Sequence, residues 1–221
     1  MVRLNLYQGS CFDKGIVAAI KSHNCNVGMI NPPFSQGDAD LHELYFIQQM
    51  LDCLQVGGTG VAICPMSCAI SPHSARIGLL QKHTLEAIMS MPDELFYPVG
   101  TVTCIMVFTA GVPHSTSNRK TWFGYWKNDA CVKTKHRGRI DLFQKWPEIG
   151  DAYVEMFRNR EVHIGVSVTK RITADAEWCA EAYMETDYSQ ITQDDFEQVV
   201  RNFFISKIQG LKALNEEDKN D

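Results

Sequence analysis

No apolar run in these 221 residues approaches the roughly 18–20 that a membrane-crossing helix needs. The start, Met1-Val2-Arg3-Leu4-Asn5-Leu6, lacks the long apolar stretch and small-residue cleavage site of a secretory signal. Together these absences predict a cytoplasmic protein. There is no P-loop and no nucleophile elbow, which removes the usual phosphate-cradling and serine-hydrolase readings. Adjacent acids are scarce: before the tail only Asp93-Glu94 and Asp194-Asp195 occur. Both fall where helices are expected to begin, so capping explains them more simply than metal-assisted hydrolysis does. Cys64 and Cys68 are close in sequence, but no second Cys or His pair at ligand spacing answers them, so no metal site is expected. No internal repeat is present.

What is there reads as an ordinary globular chain, with 45% hydrophobic and 21% charged residues. Several of the eight cysteines sit within apolar runs, as in Val61-Ala62-Ile63-Cys64 and Thr103-Cys104-Ile105-Met106, and read as small buried hydrophobes rather than disulfide partners. The net charge of −5 is unevenly spread: residues 1–118 carry −3, residues 119–171 carry +6, and residues 172–221 carry −8. A basic middle between acidic ends is compatible with a phosphate-binding surface and equally with solvated loops.

Periodicity and punctuation predict an α/β sheet with flanking helices. Val27-Gly28-Met29-Ile30 is a short strand stopped by Asn31-Pro32-Pro33, since proline cannot donate to a ladder. Asp38 or Asp40 is expected to cap a helix running to about Leu54, whose apolar face is Leu41, Leu44, Ile47, Leu51 and Leu54, with Gly57-Gly58 as its stop. Further strands are expected over residues 59–64, 85–91 and 102–108, with a helix over 75–82. Beyond Gly111 the texture changes to a polar loop over 112–120, a strand over 121–126 and the basic stretch. Helices are expected near 151–158, 174–184 and 194–209, the last burying Phe196, Val199, Val200, Phe203 and Phe204. Residues 212–221 form a charged tail expected to be disordered. The expected parts are thus 1–111, a mostly helical extension over 112–211, and the tail.

The sharpest signal is Asn31-Pro32-Pro33-Phe34 after an apolar strand. An exocyclic adenine nitrogen is a poor nucleophile because its lone pair is delocalised into the ring. Two acceptors aimed at its hydrogens, the Asn31 side-chain oxygen and the Pro32 carbonyl, would localise that lone pair towards an electrophilic methyl group. The two prolines restrict the backbone, so both acceptors stand in place before reaction. Such a base must be flipped out of a duplex, and Phe34 offers a ring for it to stack on. The position fits, because open α/β sheets bind ligands beyond the carboxyl ends of their strands. The bland alternative is that Asn-Pro-Pro makes only a turn and Phe34 belongs to the core.

The run from Leu6 to Leu211 resembles the second half of the N6-adenine methylase family that includes modification subunits of type I restriction systems. The resemblance rests on the tetrapeptide, Gly57-Gly58, Pro65, Arg76, Leu79-Leu80, Pro92, Phe96 and Ile105-Met106-Val107-Phe108. Lys127-Asn128-Asp129, Gly138-Arg139-Ile140-Asp141 and Trp178-Cys179-Ala180-Glu181-Ala182-Tyr183 look like segments of a restriction-associated subfamily. It implies a partial Rossmann-like methyltransferase sheet, S-adenosylmethionine as methyl donor, and site-specific transfer to adenine N6 in double-stranded DNA. As catalytic residues it implies Asn31, Pro32, Pro33 and Phe34. Lys133, Lys135, Arg137 and Arg139 are candidates for DNA contact.

The family's glycine-rich cofactor turn and following acid do not precede Asn31. Gly57-Gly58-Thr59-Gly60 is no substitute, because it precedes a strand rather than opening a helix. Gly9-Ser10-Cys11-Phe12-Asp13 resembles the family's segment beside the cofactor adenine, which makes Ser10 and Asp13 cofactor candidates. The resemblance therefore implies that the chain begins at the third or fourth strand of the sheet, as a fragment or as half of a split enzyme. Expected partners are a chain supplying the cofactor half, a specificity or restriction subunit, or a second copy. The alternative function is a catalytically inactive remnant that binds DNA or a restriction partner.

Overall fold

The computed structural model describes residues 4–35, 40–96, 100–135, 137–185 and 192–217. In chain order the elements are α1 (Lys14–Ser22), β1 (Val27–Ile30), α2 (Glu43–Leu51), β2 (Thr59–Pro65), α3 (Ser67–Ile70), α4 (Ala75–Lys82), β3 (Thr84–Ser90) and β4 (Thr103–Thr109). Then follow α5 (His114–Ser117), β5 (Thr121–Tyr125), β6 (Val132–Thr134), β7 (Gly138–Ile140), α6 (Trp146–Asn159), β8 (Ser167–Lys170), a 3-10 turn (Ala180–Ala182) and α7 (Gln193–Glu217). Residues 1–185 form one compact unit and residues 186–221 a second.

Six strands make one mixed sheet in the order β1-β2-β4-β3-β5-β8. β1 is parallel to β2, β4 runs antiparallel between β2 and β3, β5 is parallel to β3, and β8 is antiparallel to β5. Strands β1, β2, β3 and β5 therefore all point the same way. The segments that leave them, beginning at Asn31, Met66, Met91 and Trp126, gather along one carboxyl edge. β5 and β8 lie beyond Gly111, so the change of texture there falls inside one sheet.

Every residue of β3 is buried, which requires cover on both faces. Leu44, Ile47 and Leu51 of α2 and Leu79 of α4 share one core on one face with Leu85 and Ile88 of β3. Ala87, Met89, Val107 and Trp122 pack on the other against Met156 and Phe157 of α6. The register shift between Leu85 and Ala87 explains how Leu85 and Ile88 reach the same side. At the far end, β1 is an edge strand, and Val27 and Met29 are 63% and 70% exposed.

Several expectations are corrected. α2 begins at Glu43, capped by the His42 ring, whose Nδ1 accepts from Leu44 N–H at 3.2 Å; Asp40 precedes it, and Asp38 lies outside the described residues. Leu41 is exposed rather than part of the apolar face. No α-helix forms over 174–184, where the only helical element is the 3-10 turn Ala180–Ala182. There Trp178, Cys179 and Ala180 are buried consecutively, which one helical face cannot do. Trp178 N–H instead bonds the Ala69 carbonyl at 2.8 Å, and its indole N–H bonds the Thr173 carbonyl at 2.8 Å. α7 runs through Glu217, past the point where disorder was expected, and residues 218–221 lie outside the described ones. Its Phe196, Val199, Val200, Phe203 and Phe204 are exposed rather than buried. Cys53, Cys64, Cys68, Cys104 and Cys179 are buried free thiols, and Cys64 faces Cys104 across β2–β4 with sulfurs 3.7 Å apart. No described helix is long and apolar enough to cross a membrane.

Candidate functional site

Ile30 ends β1 and the chain turns at the carboxyl edge through Asn31-Pro32-Pro33-Phe34. Pro32 is buried, while Asn31 and Pro33 are exposed. Asn31 is exposed, and its side chain makes no hydrogen bond among the described residues. Phe34 is half-buried and meets Phe96, from the segment after β3, edge to face at 6.0 Å and 69°. Two aromatic rings from different strand ends thus meet at the carboxyl edge, one of them three residues after Asn31.

Just behind Phe34, Ser35 donates its backbone N–H to Glu43 Oε1 at 2.7 Å. Its hydroxyl donates to both carboxylate oxygens, at 3.1 and 3.2 Å. Glu43 is the first residue of α2 and only 2% exposed. The Cys68 thiol of α3 reaches its other oxygen at 3.7 Å. Burial pushes the Glu43 carboxyl up, but its own backbone N–H, the two Ser35 groups and His42 outweigh this and hold it below the ordinary glutamate range. Burial, with His73 stacked at 4.0 Å, pushes His42 down, so the ring is neutral at pH 7.

His42, Glu43 and Cys68 are the one group of possible metal ligands found among the described residues, with ligating atoms within 4.8 Å of one another. These donors are already engaged: His42 Nδ1 caps α2 and both Glu43 oxygens accept from Ser35. The buried Arg76 guanidinium, which donates to the Cys68 carbonyl at 2.8 Å, adds positive charge nearby. The arrangement serves a carboxylate better than a cation.

The cofactor candidates lie in the exposed segment before α1. Asp13 Oδ1 accepts from Gly15 and Ile16 N–H at 2.8 and 3.0 Å, capping that helix, and the Ser10 hydroxyl accepts from Phe12 N–H at 3.2 Å. These two side chains do not by themselves fit a nucleoside-sized cofactor, since their hydrogen bonds close local turns. A cavity of about 210 Å³ between α1, β1 and α2 is lined by Cys11, Ile20, Val27, Met29 and Phe46, but by neither Ser10 nor Asp13.

The basic candidates divide in two. Lys133 of β6 pairs with Glu94 at 3.2 Å, and Arg139 of β7 pairs with Asp129 at 2.5 Å and Glu94 at 3.9 Å. Lys135 and Arg137, at the tip of the β6–β7 hairpin, are exposed and have no ion pair among the described residues. Asp93 and Glu94 do not cap a helix. They sit in a turn after β3, where Asp93 pairs with Lys127 at 2.5 Å. The same turn contributes Leu95 to a mostly apolar cavity of about 300 Å³, lined also by Met91, Trp126, Asp129 and Trp146.

Sequence reasoning passed over Glu43, although a signal was present. Residues 43, 47 and 51 are spaced by four, so an acid there stands on the buried stripe of its own helix.

Comparisons with known proteins bear on the family and the fold. The family model described as N-6 DNA Methylase matches residues 26–207. The type II restriction enzyme and methyltransferase RM.BcgI of Heyndrickxia coagulans is 29% identical over 209 residues, covering 90% of this chain but 32% of that protein. This chain therefore spans about a third of that relative's length. Among solved structures, a type I restriction-modification methyltransferase subunit from Streptococcus thermophilus superposes with a TM-score of 0.58 at 13% identity, over 73% of this chain and 38% of that one. A modification subunit of a putative type I restriction enzyme from Vibrio vulnificus gives 0.51 at 15% identity, over 70% and 35%. These two likenesses concern the fold. With most of its length matched by the family model and its tetrapeptide on the carboxyl edge of the matching sheet, the chain belongs to the N-6 DNA methylase family.

Proposed function

We propose that this chain carries the base-handling part of a restriction-modification DNA methyltransferase that methylates adenine at N6. The observation that carries this reading is the exposed Asn31, which opens the Asn31-Pro32-Pro33-Phe34 turn at the carboxyl edge where Phe34 meets Phe96. A flipped adenine stacks on Phe34, with Phe96 as a second apolar wall. The exocyclic amine donates one N–H to Asn31 Oδ1 and the other to the Pro32 carbonyl. Both acceptors draw the nitrogen towards tetrahedral geometry and hold it pre-aimed, which costs no reorganisation during reaction.

S-adenosylmethionine supplies the methyl group when bound. Ser10 and Asp13 do not form its site alone, so its main contacts come from additional polypeptide. The free edge of β1 and the exposed Val27 and Met29 support pairing with such strands, because an open apolar edge favours association. Double-stranded DNA is the substrate on this reading, and specificity or restriction subunits are the expected partners.

The test is incorporation of labelled methyl groups into duplex DNA by the methylation-competent assembly. Asn31→Ala removes one of the two acceptors and should slow transfer by about 100–1,000-fold, equivalent to about 2.7–4 kcal/mol. Phe34→Ala should lose less, and part of that loss should return when the target base is mismatched and easily extruded. A folded Asn31→Ala variant with near-normal rate would sink the proposal.

A further inference from the structure

We propose that Glu43 is a positioning residue for the Asn31–Phe34 segment, acting through Ser35. This rests on the function proposed above. The prolines fix the backbone at the start of the turn, but nothing in Pro32 or Pro33 restrains it after Phe34. That restraint comes from Ser35, whose two donors both end on one carboxylate. Phe34 is therefore held on one side by a proline and on the other by a residue bonded to α2.

The chemistry of the pair is unusual for mere packing. Glu43 shares the buried stripe of α2 with Ile47 and Leu51, where an apolar residue would avoid the desolvation of a charge. The carboxylate is instead stabilised by the N-terminus of its own helix and by Ser35, and the Cys68 thiol donates from a third element. Its neighbours include His42, whose pKa burial lowers, and the buried Arg76 that donates to the Cys68 carbonyl. One side chain thereby ties the turn after β1 to α2 and to α3, both packed on the sheet. An acceptor displaced by about 1 Å from the target amine loses on the order of 100-fold in rate, which gives such a tie a catalytic consequence.

The test combines amide hydrogen exchange on this chain with steady-state methylation by the active assembly. In Glu43→Ala, exchange of the Ser35 amide should accelerate, and kcat should fall about 10–100-fold with the KM for DNA within about threefold. Glu43→Gln, whose carbonyl still accepts, should fall between that variant and the wild type. Ser35→Ala keeps the backbone bond and should lose less than Glu43→Ala. The double variant should be no worse than Glu43→Ala, because the residues act as a unit. If Glu43→Ala does not fold, Glu43→Gln and Ser35→Ala carry the same comparison. Unchanged Ser35 exchange, unchanged kcat, or a loss confined to KM would overturn the inference. Asn31→Ala is run beside them: full activity in that variant refutes the proposed function, while the exchange result still decides whether Glu43 holds Ser35.

Discussion

The division of the basic hairpin into paired and unpaired cations gives a quantitative expectation for DNA binding. Lys135 and Arg137 stand at the exposed tip, whereas Lys133 and Arg139 already face Glu94 and Asp129. Each phosphate contact contributes about 0.9 to the slope of log K against log salt. Removing both tip cations should lower that slope by about 1.8, and at 0.1 M salt it should weaken binding by about 60-fold. Arg139→Ala should behave differently. Its partner Asp129 is buried, and a hydrogen bond to a charged group that is lost there costs about 1.5–3 kcal/mol. At about 2–4 °C per kcal/mol for a chain of this size, Tm should drop by roughly 3–12 °C with little change in salt slope. Fluorescence anisotropy of labelled duplex DNA from 50 to 200 mM salt, with thermal unfolding of each variant, separates the two. A tip variant with the full wild-type slope would refute the reasoning. So would an Arg139→Ala protein of normal Tm whose slope had fallen by one.

Two further outcomes concern stability. Glu86, buried in β3, accepts from Arg119 and Arg160 at 2.5 Å each and from the Thr109 hydroxyl at 2.7 Å. The arginines are well exposed and resolvate, so their share is discounted towards about 0–1 kcal/mol each, and Glu86→Ala should cost about 2 kcal/mol in urea unfolding. A change below about 0.5 kcal/mol would show that the network adds nothing. Burial lowers the pKa of His42, His83 and His114 below their ordinary value of 6.5, with Asp52 and Glu86 only partly opposing this at the last two. The unfolded chain therefore binds more protons just below pH 6.5, so this stability is present above pH 6.5 and is lost as pH falls beneath it. Glu43 and Glu86, both held low, add a second loss only below their ordinary 4.5. Unfolding free energy measured at pH 7.5, 6.5 and 5.5 should decline over the last step by at most about 1.4 kcal/mol per histidine, and a flat or rising trend would contradict the burial argument.

Punctuation made much of the sheet legible. Asn31-Pro32-Pro33, Pro65 and Pro92 end their strands where proline removes a donor, and α4 occupies the residues expected of it. The misses have more than one cause. α1 is short and half-buried, and its cap Asp13 was read for its chemical likeness rather than as a helix start. The hairpin β6–β7 and the strand β8 are three or four residues long, too short for a period to show. The segment around Trp178 looked helical because it is rich in Ala and Glu, yet its donors go to Ala69 and Thr173. At the site, the tetrapeptide could be read because its residues are contiguous. Glu43 showed only as an acid on the buried stripe of its helix, and neither its partners nor those of Asp93 and Glu94 could be read, since they lie 8 to 45 residues away.

The strand that leads into the tetrapeptide is the least supported in the sheet. β1 has four residues, one neighbour and no fully buried side chain, whereas β3 is buried throughout and paired on both sides. Local opening is easiest where apolar contacts are few and backbone bonds are solvated, so β1 should exchange before β3. A site that depends on acceptors fixed in advance is poorly served by such a strand alone. The covalent restraint of two prolines and the buried tie from Ser35 to α2 supply locally what the edge lacks. Strands added at the free edge of β1 would bury Val27 and Met29 and restrain the same turn from the other side. On the proposed reading, such added strands would also carry the methyl donor. Bringing the donor into place and stiffening the acceptor turn would then be one structural event rather than two.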